Sequence, residues 1–293
     1  MSTRTILVTG ATGNQGRAVA DALIPMGHRV RAMVRNPGDP KAAELKAMGI
    51  ELVPGSFDDP QSLQRAAEGV DAVFAVTTPA AGVDLEVRQG KALADAAQAA
   101  GVGHLVFSSV ANGDRGTGIP HFDSKYEIET YLRTLDIPWT ITGPAFFFNN
   151  VLFPWNVDDL KRGLIRQALA PDVKLQQIAA EDIGRFNAHV LDVRDPFIGR
   201  RIDIAGDALS GSELAAALSE ATGRSIAYGE QTLDEVREQF EDMATMYEWL
   251  AGTGFSVDIE ALRRDYPEVG WTTFAQWAGA QDWNAILKAA GQG

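Results

Sequence analysis

The chain has 293 residues, 45% of them apolar, and a formal net charge of -13 at pH 7. That size and composition predict a well-buried core in one large domain with a smaller appendage, and the acidity opposes binding to a nucleic-acid backbone or an anionic membrane surface. With no cysteine, and with only His28, His104, His121 and His189 at spacings that suit no metal, disulfides and thiolate catalysis are excluded and no metal site is expected.

The first strand, residues 5–9, begins close to Met1, and no apolar run approaches about 18 residues. Neither a signal peptide nor a membrane span is therefore expected, and the protein reads as cytoplasmic. The strand runs into Gly10, Ala11, Thr12, Gly13, Asn14, Gln15 and Gly16, a G-x-x-G-x-x-G spacing, and then into a helix over residues 17–26. A bare glycine triplet is weak evidence, but strand before and helix after make it a dinucleotide-binding turn. Gly10 allows a sharp turn, Gly13 lets the backbone approach a pyrophosphate, Gly16 lets helix pack on strand, and the helix start supplies N–H donors.

The second strand, residues 29–34, ends at Arg35. An NAD enzyme usually carries Asp or Glu there for the ribose 2′-hydroxyl, whereas a guanidinium binds a 2′-phosphate through paired charge-assisted hydrogen bonds. The expected cofactor is NADP(H); the alternative for Arg35 is an ordinary solvated surface arginine.

Strands follow at residues 51–54, 72–77, 104–108 and 139–142, alternating with amphipathic helices such as residues 83–100. This rhythm predicts the α/β class, a Rossmann-type doubly wound parallel sheet with all strand carboxyl ends on one edge. The NADP(H)-binding domain is expected over residues 1–149, and a smaller, mainly helical substrate or partner region over 150–293, of which about 173–205 returns to the main sheet. In that region we expect a helix at 151–163, a strand at 173–177, then helix, strand and helix across 181–222. Residues 232–290 read as helical, with Phe274, Trp277, Ile286 and Leu287 on a buried face.

Residues after the strands should line the ligand edge: Thr77 and Thr78, then Ser108 and Ser109, then Phe146, Phe147, Phe148 and Asn149, although each also suits a turn or cap. The glycine-rich residues 112–118 could form a flexible lid. In the helix that follows, His121 and Lys125 stand four residues apart and project from one face. Short-chain dehydrogenases carry Tyr and Lys at this spacing. Here His121 takes the tyrosine place, and Tyr126 lies about 100° round the helix from Lys125. An imidazole could serve as a general acid near neutral pH. The alternatives are a solvated lysine and a helix-start histidine without chemical role.

Taken together, residues 9–16, Val34-Arg35-Asn36-Pro37, Val76-Thr77-Thr78, His121-Phe122-Asp123-Ser124-Lys125, Phe147-Phe148-Asn149, Asp182-Ile183-Gly184 and the final Trp277-bearing helix resemble the NmrA-like family, a branch of the atypical short-chain dehydrogenase/reductases. The resemblance runs nearly the whole length. It implies that the Gly10 to Gly16 loop cradles the pyrophosphate, that Arg35 binds the 2′-phosphate, and that Asp58 and Asp59 lie near the adenosine. It further implies that Thr77, Thr78, Arg88, Lys125 and the Phe146, Phe147, Phe148, Asn149 stretch border the ribose and nicotinamide. Ser56 departs from the family's G-D-x-x-D pattern, which expects Asp after Gly55. Members of the family resemble either NADPH-dependent reductases of quinones or enones, or NADP(H) redox sensors that report to a partner protein. The first reading is favoured, with Lys125 and His121 as its catalytic residues and with Phe146, Phe147, Phe148, Phe153 and Trp155 suiting a small, flat, apolar or aromatic carbonyl substrate. The sequence leaves oligomeric state open.

Overall fold

Short apolar runs, too brief for helices and too continuous for half-buried strands, form a parallel sheet covered on both faces. The computed structural model describes residues 3–289. Its strands are β1 (Thr5–Val8), β2 (Arg29–Val34), β3 (Glu51–Pro54), β4 (Ala72–Val76), β5 (Leu105–Ser108) and β6 (Trp139–Pro144). They continue as β7 (Phe146–Phe147), β8 (Leu164–Gln167), β9 (Lys174–Ile178), β10 (Arg200–Ile204), β11 (Asp207–Ser210) and β12 (Ala227–Glu230). The chain divides into two compact units: one takes in the described residues up to Gly116 with Pro120–Gly143 and Ala180–Asp203, the other Thr117–Ile119, Pro144–Ala179 and the described residues from Ile204 onward.

The first unit is built on a seven-stranded sheet in the order β10-β6-β5-β4-β1-β2-β3. Registers Val8↔Ala32, Val8↔Phe74 and Val76↔Ser108 show parallel ladders. The strand order reverses between β1 and β4, so the loops after these two strands open at the switch point where ligands bind in such sheets. Ile6, Leu7, Val8, Val73 and Phe74 are wholly buried. The expected doubly wound parallel architecture is the one found.

Around this sheet lie α1 (Asn14–Leu23), α2 (Pro40–Ala47), α3 (Pro60–Ala67), α4 (Val83–Ala99) and α5 (Pro120–Leu132). After α6 (Pro154–Lys161) in the second unit, the first unit takes α7 (Ala180–Val193), which packs on α1. A Cβ on Gly184 of α7 would strike the Ala18 backbone of α1, so this crossing accepts no side chain. On the opposite face Leu93, Leu105, Phe107, Ile128, Leu132 and Ile141 share one core.

The second unit holds a three-stranded sheet, β11-β9-β7, and a parallel pair, β12-β8. Its helices are α6, α8 (Gly211–Thr222), α9 (Leu233–Arg237), α10 (Glu241–Gly252), α11 (Ile259–Asp265), α12 (Phe274–Gly279) and α13 (Trp283–Ala289). Phe148, Leu160, Leu214, Leu218, Phe274, Trp277 and Trp283 form its core, with Ile286 and Leu287 packed against it.

Several boundaries differ from the sequence reading. The first helix runs Asn14–Leu23 instead of 17–26, because Gly13 N–H bonds to the Gly10 carbonyl at 2.9 Å and the helix starts directly from that turn. Residues 151–153 are not α-helical; α6 starts at Pro154, a favoured first position. The expected strand at 173–177 is Lys174–Ile178. The tail is five short helices, several started by their own caps such as Thr232 and Thr273, and Ala290 lies outside the described residues. The short strands β7, β8 and β12 carry too few alternating residues to register against the helical pattern around them.

Candidate active site

The glycine loop after β1 has the geometry its spacing predicts. Gly10 adopts φ +62°, a left-handed conformation that favours glycine, and a Cβ there would lie 2.7 Å from Val76 Cγ1. A Cβ on Gly16, inside α1, would strike the Gly10 and Thr9 carbonyls. Ala11 is buried, whereas Thr12, Gly13 and Asn14 are exposed. Gly13 is the N-cap of α1 and no side chain caps that terminus, so the first-turn N–H groups face outward as anion donors. Gln15 is half-buried, and its Oε1 accepts from Ser108 Oγ at 2.6 Å, which ties the loop to the end of β5. These observations fit the pyrophosphate of a dinucleotide.

Arg35 is exposed just past β2, and the Val8↔Ala32 register puts it level with the loop after β1. Among the described residues it has neither a hydrogen-bond nor an ion-pair partner. Beside it, past β3, Asp58 and Asp59 part company: Asp58 Oδ1 accepts from Gln89 Nε2 at 3.0 Å, while Asp59 caps α3 through Gln61 N and Ser62 N. The Asp59 carboxylate is thus a helix cap, which leaves Asp58 as the member of the pair free of a capping role.

The end of β4 carries a constellation that the sequence reading did not single out. Thr77 is buried and donates to Glu86 Oε1 at 2.9 Å, whereas Thr78 caps the following turn. Glu86, wholly buried in the first turn of α4, also accepts from Lys125 Nζ at 2.7 Å and from Ser124 Oγ at 2.6 Å. Lys125 Nζ reaches the Thr77 carbonyl at 3.3 Å. Lys125 is therefore a buried, paired lysine and not a solvated one. Arg88, on the next helical position but one, is exposed. The two residues of the expected pair differ in burial, since His121 is half-buried with its ring edge-on to Phe122 at 4.8 Å, and its backbone carbonyl accepts from Ser124 Oγ at 3.2 Å. A signal for Glu86 existed in the sequence: it precedes Gly90, Leu93 and Ala97 at helical spacing, a carboxylate on an apolar stripe.

A second buried cluster lies past β5. Ser109 Oγ donates to Glu129 Oε1 at 2.5 Å, and Glu129 Oε2 accepts from Arg201 Nε at 2.9 Å and Arg133 Nη2 at 3.1 Å. Arg201 Nη2 donates to the Val110 carbonyl at 2.8 Å, and its Nη1 to Asp203. Asp203 in turn accepts from the Asn112 backbone N–H at 3.0 Å. Burial pushes the Glu129 and Asp203 carboxyls above the usual carboxylate range, Arg201 opposing it. The start of the expected flexible lid at 112–118 is consequently pinned: Asn112 is buried in a left-handed conformation, and Gly113–Arg115 form a 3-10 turn. The Ser109 hydroxyl is equally committed, so it is no free proton donor.

In the second unit, Phe146 and Phe147 pair with β9 and are half-buried, and Asn149 lies in the 3-10 turn that follows. Phe148 corrects an expectation. It is wholly buried, edge-on to Phe274 at 5.2 Å, and belongs to the core instead of a ligand surface. Phe153 and Trp155 stack at 4.8 Å and are exposed. Among the described residues there is no grouping of three His, Asp or Glu that could hold a metal ion, and no helix long and apolar enough to cross a membrane.

Known proteins share the family and the fold. The NmrA-like family model matches residues 2–278. A (4-alkanoyl-5-oxo-2,5-dihydrofuran-3-yl)methyl phosphate reductase of Streptomyces griseus is 33% identical over 234 residues, 79% of this chain and 79% of its own. An NAD(P)H azoreductase of Xenophilus azovorans is 31% identical over 239 residues, 81% of each protein. The solved structure of NmrA, a negative transcriptional regulator, in complex with NADP, aligns with a TM-score of 0.81 at 25% identity, covering 99% of this chain and 98% of that one.

Proposed function

The chain belongs to the NmrA-like family, and from that premise we propose that it is an NADPH-dependent reductase that delivers hydride to a quinone or a conjugated enone. The observation that carries the cofactor in this reading is Arg35, an exposed guanidinium without a partner among the described residues, level with a glycine loop that leads into an uncapped helix. The names of two relatives support it. One reduces a dihydrofuranone whose alkene is conjugated to carbonyl groups, the other an azo compound, and both are acceptors with delocalised π systems.

In this reading Gly10, Ala11, Thr12, Gly13, Asn14, Gln15 and Gly16 hold the pyrophosphate against the N–H groups of α1, Arg35 holds the 2′-phosphate, and Asp58 borders the adenosine. Thr77, Thr78, Arg88 and Lys125 serve the ribose and nicotinamide end. NADPH bound there supplies the hydride. Lys125 places a positive charge beside the oxygen on which negative charge develops, in a site where burial strengthens it. A delocalised acceptor needs little acid help, which leaves His121 an auxiliary proton donor.

Calorimetric titration with NADPH and NADH tests the cofactor reading: NADPH should bind more tightly, and Arg35→Ala should weaken it by roughly ten- to a hundredfold while leaving NADH unchanged, as for loss of charge-assisted hydrogen bonds. Equal affinities in the native protein would sink it. Turnover is followed by loss of reduced-nicotinamide absorbance across a panel of quinones and enones. Two observations favour the alternative, an NADP(H) redox sensor that regulates a partner protein: Ser109 is committed to Glu129, and no tyrosine precedes Lys125 by four residues. Tight NADPH binding without oxidation by any acceptor, together with a cofactor-dependent affinity for a partner, would establish that reading instead.

A further inference from the structure

Glu86 is a single carboxylate that gathers three elements of the sheet's carboxyl edge. Its Oε1 takes Thr77 Oγ1 from the end of β4 at 2.9 Å and Lys125 Nζ from α5 at 2.7 Å, and its Oε2 takes Ser124 Oγ at 2.6 Å. Glu86 is wholly buried, so no water competes for these bonds. An ammonium carries three hydrogens. Lys125 directs one to Glu86 and one to the Thr77 carbonyl, which is 3.3 Å away. With two donors engaged, the third has its direction fixed, although a lysine stem is otherwise flexible.

We propose that Glu86 is the positioning residue of this site: it holds the Lys125 ammonium so that its remaining hydrogen serves the ribose and nicotinamide end of bound NADPH. The inference rests on the reductase reading for the identity of that ligand. It differs from a purely structural role in its consequence, because positioning acts through Lys125 and vanishes when the lysine is gone, whereas structural support persists without it.

A double-mutant cycle in NADPH affinity reads this difference. Glu86→Gln keeps the shape and removes the charge, and should weaken NADPH binding about tenfold, a coupling within the range measured for contacting groups. In a Lys125→Met background the same substitution should change affinity less than about twofold. Losses that simply add, or a Glu86→Gln protein that binds NADPH as the native one does, would overturn the proposal. Where turnover is measurable, Glu86→Gln should lower kcat with little change in KM for the acceptor. A measurement that needs no Glu86 variant is the side-chain nitrogen resonance of Lys125 in lysine-labelled native protein, assigned by its loss in Lys125→Met. It should be slow to exchange and should shift on adding NADPH, and an unchanged signal would refute the placement. Native protein that binds neither NADPH nor NADH overturns the cofactor reading and this inference with it, whereas native binding with an additive cycle overturns only the role of Glu86.

Discussion

Two buried carboxylates in the first unit make a natural comparison. Glu86 and Glu129 are each wholly buried, each accept a short hydrogen bond from a serine, Ser124 or Ser109, and each face a cation. They differ in which cation. Arg201 fills its fork with Glu129, Asp203 and the Val110 carbonyl, and so cross-braces the loop after β5. Lys125 engages Glu86 and Thr77 and retains a donor. A rigid guanidinium whose three nitrogens are each tied to a different partner is a strut, whereas a compact ammonium with one N–H left unengaged can serve a ligand. Burial and ion pairing alone do not separate the two roles.

The largest break in the comparison comes from removing the strut. Arg201→Met leaves the buried Asp203 carboxylate without its cation and Glu129 with Arg133 alone, and should cost about 3–5 kcal/mol of unfolding free energy in a denaturant titration. A loss below about 1 kcal/mol would place the brace among ordinary surface pairs.

A pH series sharpens the measurement, because a third buried group at the other end of β5 contributes an acid limb of its own. Burial pushes His104 down from 6.5 to about 4, with Arg194 and Arg4 adding to the effect. A base with a lowered folded value contributes stability that is present above 6.5 and is lost as pH falls through about 4. The loss should approach roughly 3 kcal/mol. It should be absent in His104→Gln, and an acid limb unchanged by that substitution would assign the effect elsewhere.

The smallest change exchanges the cations. Arg201→Lys keeps the charge but cannot fill the fork, and should destabilise by about 1–3 kcal/mol through an unsatisfied buried acceptor, with NADPH affinity unaltered. Lys125→Arg should show the reverse pattern, a loss of NADPH affinity and turnover larger than its loss of stability. Identical patterns for the two exchanges would erase the distinction between strut and ligand-facing cation.

The sequence showed the glycine loop and Arg35 because their chemistry is local. A turn with positive φ, an uncapped helix start and a charge at a strand end are set by neighbouring residues, so spacing alone exposes them. Lys125 was visible by its place on α5, yet its environment was not. Glu86 stands 39 residues away along the chain, and only the packing of α4 beside α5 brings it to the ammonium. Arg201 and Glu129, 72 residues apart, meet for the same reason. Phe148, expected at the ligand edge, lies in the core, and Asp59 caps a helix: an aromatic in a motif and an acid after a strand look alike in sequence whether they face a ligand, a core or a helix end.

By itself the amino-acid sequence determined the doubly wound parallel sheet, the edge on which its strand ends gather, and the glycine turn that leads into an uncapped helix, since periodicity and backbone conformation are properties of short stretches. Only the tertiary structure decided which buried carboxylate partners which cation, that Ser109 is committed and that Lys125 is held, because those facts depend on side chains converging from elements distant along the chain, where burial removes water as a competitor and each remaining partner counts.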